Sequence, residues 1–210
     1  MTEATHTWHD HEKVHEYVGR VNRLAARQAG EAELVQALPE HVQRVLDLGC
    51  GDGKLAAVVL EARPEMEAAV CIDRSAPMLD LARQRFAAEP RARLLEHDLD
   101  QPLPDLGAFD AIVSGFAIHH LEDARKQALL SEAADALRPG GVFANLEVIQ
   151  CATDELQQEF YRRIERPGGD PEDRLASIEP QLDWMRDAGL VHVDCQWRWR
   201  GFALLVGQAP

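Results

Sequence analysis

The stretch Val45-Leu46-Asp47-Leu48-Gly49-Cys50-Gly51-Asp52-Gly53 decides how this chain is read. An apolar run meets an acid, then a turn with glycine at every second position. A helix-prone segment, 54–62, follows at once. These three parts describe a strand, a tight turn and a helix start. Glycines allow positive φ and let a ligand lie against bare main chain. The unpaired N–H groups at the helix start favour a polar or charged ligand group. Spacing narrows the choice of ligand. A dinucleotide turn has a third glycine three residues after the second, and Lys54 stands there instead.

Outward from this turn, strands alternate with helices. Strands are expected over 42–48, 68–72, 93–96, 109–114 and 142–149. Helices are expected over 54–62, 76–88 and 123–137, the last stopped by Pro139-Gly140-Gly141. Pro77 sits in a first helical turn, where its missing N–H costs nothing. This rhythm means βαβ units, a parallel sheet and helices on both faces. Upstream, Val14, Tyr17, Val18, Val21 and Leu24 recur at helical steps, predicting one helix over 9–30 and a short one over 31–38. After Ile149 the rhythm breaks. A helix over 153–164, an irregular loop over 166–174 and a helix over 181–188 are expected. The segments 191–199 and 202–206 are joined so tightly that they must pair antiparallel.

The 210 residues suit one domain with a small appendage. A division follows: a helical cap over 1–40 and a main domain over 41–210, with an insertion at 151–180 shaping a substrate pocket. Net charge is −14, which argues against nucleic acid or an anionic membrane as partner, since both need a basic face. No basic-then-apolar start and no apolar run of about 20 residues is present, so a cytoplasmic location is expected. Cys50, Cys71, Cys151 and Cys195 form no C-x-x-C pair, against a disulfide scaffold or a thiolate zinc site. His11 and His15 are one helical turn apart, with His6 and His9 nearby. They read as solvated helix histidines, and no metal site is expected. Trp197 and Trp199 alternate with Arg198 and Arg200, placing both indoles on one strand face, under a flanking helix.

In open α/β sheets ligands bind beyond the carboxyl ends of the strands. The residues there are Asp47, Gly49 and Gly51, then Asp73, then Asp98-Leu99, then Ser114 with His119-His120 a few positions on. An acid roughly 20 residues past the glycine turn is placed to meet ribose hydroxyls, with the stronger, charge-assisted kind of hydrogen bond. Three acids at three successive strand ends are hard to obtain by chance.

The glycine turn after Val-Leu-Asp-Leu, together with Cys71-Ile-Asp73-Arg-Ser75-Ala-Pro-Met78-Leu, Phe109-Asp110-Ala-Ile-Val, His119-His120-Leu121 and Leu137-Arg138-Pro139-Gly140-Gly141, resembles the small-molecule branch of the class I S-adenosylmethionine-dependent methyltransferases. The resemblance covers about 40–149 and the terminal hairpin. It implies a doubly wound, mostly parallel, seven-stranded α/β sheet with a C-terminal antiparallel hairpin, the Rossmann-like methyltransferase fold. It also implies S-adenosylmethionine as cofactor and a small-molecule acceptor. Carried over, Asp47, Gly49 and Gly51 line the methionine part and Asp73 holds the ribose. Met78 packs on the adenine, Asp98 and Leu99 read its edge, and Ser114 closes the floor. Tyr17 and Arg20, on a helix that covers the cofactor in this class, stand near the methionine carboxylate. His119 and His120 follow the fourth strand, where the transferred methyl should point, as general base or acceptor-orienting groups. Alternatives are a tRNA or protein acceptor, an enzyme that modifies the cofactor itself, an NAD(P)-dependent oxidoreductase, or a protein that binds the cofactor without catalysis.

Overall fold

The computed structural model describes residues 10–21 and 23–210. His6 and His9 lie outside that range. The elements in chain order are α1 (His11–Val21), α2 (Ala25–Ala37), β1 (Arg44–Leu48), α3 (Lys54–Ala62), β2 (Ala68–Asp73), α4 (Ala76–Arg85), β3 (Ala92–Glu96), β4 (Phe109–Gly115), a single 3-10 turn (Ile118–His120), α5 (Asp123–Ala136), β5 (Leu137–Val148), α6 (Asp154–Arg163), α7 (Ile178–Asp187), β6 (Val191–Trp199) and β7 (Phe202–Gln208). One seven-stranded sheet runs in the order β3-β2-β1-β4-β5-β7-β6. The first five strands pair in parallel, and β7 enters antiparallel between β5 and β6. The chain thus has the α/β, doubly wound architecture expected from its rhythm. The strand order reverses between β1 and β4, which opens a crevice at their carboxyl ends.

Both sheet faces are covered. Along β1, Val45 packs into one core with Leu34, Ala56, Val59 and Leu79 of α2, α3 and α4. Its neighbours Leu46 and Leu48 point to the other face, against Leu129 and Ala133 of α5. A strand buried on both faces needs a continuous apolar run, which is what surrounds Asp47. A third, aromatic cluster joins α6 to the terminal hairpin. Phe160 meets Phe202 at 5.0 Å between ring centroids and Trp199 at 6.4 Å, while Trp197 packs towards α2. Both indoles therefore lie under helices. Among the described residues no helix is long and apolar enough to cross a membrane.

Two boundaries differ from expectation. In place of the single helix expected over 9–30, α1 ends at Val21 and α2 begins at Ala25, and the N–H of Leu24 bonds to the carbonyl of Val21, three residues back. Helix α2 then continues through Gly30. A Cβ on Gly30 would stand 2.7 Å from Leu146 and 2.9 Å from Trp197, so this glycine serves close helix–sheet approach and does not end the helix. The second difference is Pro139-Gly140-Gly141. It was expected to separate α5 from the next strand, yet it falls inside β5, where the pairing register slips between Phe109 and Ala111. It forms a bulge at the strand's start, a place where proline and glycine are tolerated.

Candidate functional site: a cleft and an adjoining chamber

The crevice at the carboxyl ends of β1, β2 and β4 holds a cleft of about 860 Å³, counting the part open to solvent. The glycine turn forms its floor. Gly51 has φ 54°, and a Cβ added there would meet nothing nearer than Met78 Sδ at 3.8 Å, so the bare backbone faces open space. Gly49 has φ 69° for another reason: its added Cβ would stand 2.2 Å from Ala117 Cβ, so glycine lets β1 and the segment after β4 touch. Asp73 lies in the wall. Its Oδ2 accepts from Gly51 N and its Oδ1 from Ser75 N, both at 2.8 Å. Burial raises its carboxyl above the ordinary range, and those N–H groups oppose the rise. Each oxygen keeps a second acceptor site. Ser75 caps α4 by accepting from Met78 N, which fixes Met78 in the wall. Asp98 and Leu99 complete the far side, and Arg125 Nε holds the loop by donating to the Leu99 carbonyl at 2.6 Å.

Asp47 and Ser114 lie beneath the cleft, not in its lining. Asp47 is fully buried, and its Oδ2 accepts from Ala56 N at 3.1 Å. An anion there meets the positive end of α3. Burial outweighs that hydrogen bond and raises its carboxyl to about 7. Ser114 Oγ donates to the Leu48 carbonyl at 2.8 Å and ties β4 to β1. Lys54 stays clear of the cleft wall and pairs with Glu31 at 2.7 Å.

Tyr17 lines the cleft and a second chamber beside it, whereas Arg20 lines only the second and donates to the Ile164 carbonyl. The arginine in the cleft wall is Arg27, which the sequence reading missed. Its Nε donates to Glu31 at 2.8 Å and its guanidinium lies 4.8 Å from the centre of the Phe116 ring. The available signal was the charged pair Arg27 and Glu31, one helical turn apart on the buried face of α2. Phe116 itself has φ 59°, a strained conformation for a bulky residue. Its N–H bonded to the Leu146 carbonyl and its ring packed on Phe202 hold it there, at the junction of the two spaces.

The second chamber holds about 530 Å³, again counting the part open to solvent, and is walled by Phe116, His119, His120, Tyr161, Asp173 and Phe202, among others. His120 faces both spaces. His119 is buried, with Nδ1 2.5 Å from Glu147 Oε1 and Nε2 3.4 Å from Asp173 Oδ1. Burial alone would lower its pKa, but the two carboxylates prevail and raise it to about 9. Burial, and then the charge of His119 at 4.1 Å between rings, hold His120 low, so it stays neutral. Neither nitrogen of His119 is turned to an incoming acceptor. Glu147 and Asp173 were not singled out from sequence. Asp173 arrives because its loop is tied down: Arg174 N donates to the His119 carbonyl at 2.8 Å, and the buried Lys126 ammonium donates to the Arg174 carbonyl.

The glycine floor, the row of acids and the reversed strand order define a methyltransferase-type Rossmann-like protein. Residues 45–141 match the family model for a methyltransferase domain. Over that span the chain resembles the methyltransferase domains of class I S-adenosylmethionine-dependent enzymes. It is 41% identical over 127 residues to an uncharacterized methyltransferase of Mycobacterium tuberculosis H37Rv, covering 60% of each chain. The chain thus spans about 60% of that relative's length. Among solved structures, an O-methyltransferase family protein from Burkholderia thailandensis superposes with TM-score 0.77 at 20% identity, over 99% of this chain and 63% of that one. Human N-acetylserotonin methyltransferase in complex with S-adenosylmethionine gives TM-score 0.71 at 16% identity, over 99% and 60%. At such identities these two likenesses concern the fold alone.

Proposed function

We propose that this protein moves a methyl group from S-adenosylmethionine to a small molecule held in the second chamber. The observation that carries the reading is the junction of two spaces: a glycine-floored cleft with acids in its wall opens, past Phe116 and His120, into an aromatic-walled chamber. The cleft suits the cofactor. Gly51 offers backbone where a side chain would intrude, and Asp73 keeps acceptor capacity for two ribose hydroxyls. Met78 and Leu99 present apolar surface for the adenine, Asp98 an acceptor for its amino group, and Arg27 and Tyr17 polar groups for the methionine end. When bound, the cofactor supplies an activated sulfonium methyl. The chain's own contribution is placement: the chamber walls exclude water and align the acceptor, an effect that can supply about 7–11 kcal/mol in well-oriented systems. His120, neutral and set at the junction, orients the acceptor's nucleophile. His119, pinned by Glu147 and Asp173, holds the histidine pair in place. The chamber's modest size and aromatic walls favour a small acceptor, and the net charge of −14 speaks against a polyanion.

Calorimetry with S-adenosylhomocysteine and with NAD tests the cofactor, and labelled-methyl transfer to a metabolite extract tests the reaction. The expected result is binding of the first ligand only, with label in an extractable small product. Preference for NAD, or label confined to protein or RNA, would overturn the reading.

A further inference from the structure

His119, His120 and Asp173 each bring one metal-ligating type of atom to within 4.8 Å of one another. Asp173 Oδ1 lies 3.4 Å from His119 Nε2 and 3.7 Å from His120 Nδ1. A tetrahedral ion bound at about 2.0–2.2 Å to nitrogen and oxygen spaces its ligand atoms by about 3.3–3.5 Å. Both distances sit within a few tenths of an ångström of that spacing, and the two imidazole nitrogens, within 4.8 Å of each other, would close up on the ion.

Two further observations point the same way. The Asp173 side chain is only 10% exposed, and its Oδ1 makes no hydrogen bond of acceptable geometry. Its nearest partners, the two imidazoles, stand beyond ordinary hydrogen-bond length, which leaves Oδ1 with acceptor capacity. His119 also has the arrangement metal-binding histidines use: one ring nitrogen faces the cluster and the other meets a carboxylate, Glu147, at 2.5 Å. Among the described residues neither Glu147 nor Asp173 has a lysine or arginine within ion-pair distance. On binding, an ion would displace the His119 proton, and the two buried carboxylates then match the charge of a divalent cation. His120 Nδ1 would give up its 3.5 Å approach to the Glu172 carbonyl, already at the outer limit of a hydrogen bond.

We infer that this cluster is a binding site for one divalent first-row transition ion, with His119 Nε2, His120 Nδ1 and Asp173 Oδ1 as ligands and Glu147 as the outer partner of His119. Two imidazoles and one carboxylate suit zinc, iron(II) or cobalt(II), while magnesium and calcium favour all-oxygen shells. All three ligands line the second chamber, so the remaining coordination positions open onto the space assigned to the acceptor. That use of the ion rests on the methyl-transfer reading; the binding of the ion does not.

The test uses the full chain, stripped with chelator and saturated with S-adenosylhomocysteine, then titrated with cobalt(II). The visible absorption of the bound ion and calorimetric stoichiometry are read together. Because His6, His9, His11 and His15 could bind metal by themselves, a chain with all four changed to Gln is titrated in parallel. One ion per chain is expected in both, with a visible spectrum of four- or five-coordinate cobalt. Asp173→Asn should abolish the spectrum, and Glu147→Gln should weaken binding about 10- to 100-fold. S-adenosylhomocysteine affinity, measured on every variant, reports folding and cofactor binding separately. No stoichiometric uptake by the unaltered chain, uptake indifferent to Asp173→Asn in a variant that still binds S-adenosylhomocysteine, or uptake lost with the four N-terminal histidines would each overturn the site.

Discussion

The cleft and the chamber share a wall but are assembled in different ways. The cleft draws its floor, its acids and its adenine-facing side chains from 49–99, a run in which each strand end delivers one or two residues to the same edge of the sheet. The chamber gathers His119 and His120 from the turn after β4, Val148 from the end of β5, Tyr161 from α6, Asp173 from the loop before α7 and Phe202 from β7. The floor and acids of the first come from one contiguous stretch of chain, whereas the second is built wholly from separated segments. If this contrast is right, substitutions in the cleft should act on cofactor binding with short reach, and those beneath it should act on stability alone.

The largest effect is expected at Gly49, where the turn after β1 touches the segment after β4. Gly49→Ala combines φ 69° with a Cβ 2.2 Å from Ala117. A loss of about 4 kcal/mol or more in denaturant unfolding should result, with loss of S-adenosylhomocysteine binding. Near-native stability would show that the junction yields more easily than the packing indicates. Next comes Asp47. Its carboxyl is raised from 3.8 to about 7, so the folded chain holds that proton more tightly than the unfolded chain. The resulting stabilisation is complete below about pH 4 and is lost as pH rises towards 7. In Asp47→Asn this fall, of about 4 kcal/mol, should be missing from the pH profile of unfolding free energy. An unchanged profile would place the titration elsewhere.

Asp73→Ala should weaken S-adenosylhomocysteine by about 1.5–3 kcal/mol, or roughly 10- to 150-fold. Calorimetry that shows equal affinity would refute the ribose assignment. A paired comparison sharpens the boundary between the regions: Arg27→Gln should weaken the same ligand and Arg20→Gln should leave it unaltered, since only Arg27 reaches the cleft wall. The smallest effect belongs to Ser114→Ala. Losing one buried hydroxyl bond to Leu48 should cost about 0.5–1.5 kcal/mol of stability with cofactor affinity intact.

Legibility follows the same division. The strand–turn–helix at 45–62 could be read because an apolar run, positive-φ glycines and a helix start are local necessities, and successive strand-end acids mark one edge of any parallel sheet. The depth of each residue was not legible. Asp47 and Ser114 occupy the right strand ends yet point beneath the floor, because side chains alternate across a strand and burial depends on what packs over them. Arg20 and Arg27 both sit on N-terminal helices, and the division into α1 and α2 decides which one faces the cleft.

By itself the sequence determined the class of fold, the place of the glycine floor and the acids that overlook it, since these depend on backbone conformation and two-residue alternation over short spans. Tertiary structure alone decided that Glu147 and Asp173 would close on His119 from two sides. Their separations along the chain are 28 and 54 residues, and no local rule links them. Their meeting rests on the pairing of β5 beside β4 and on a loop held by Lys126 and Arg174.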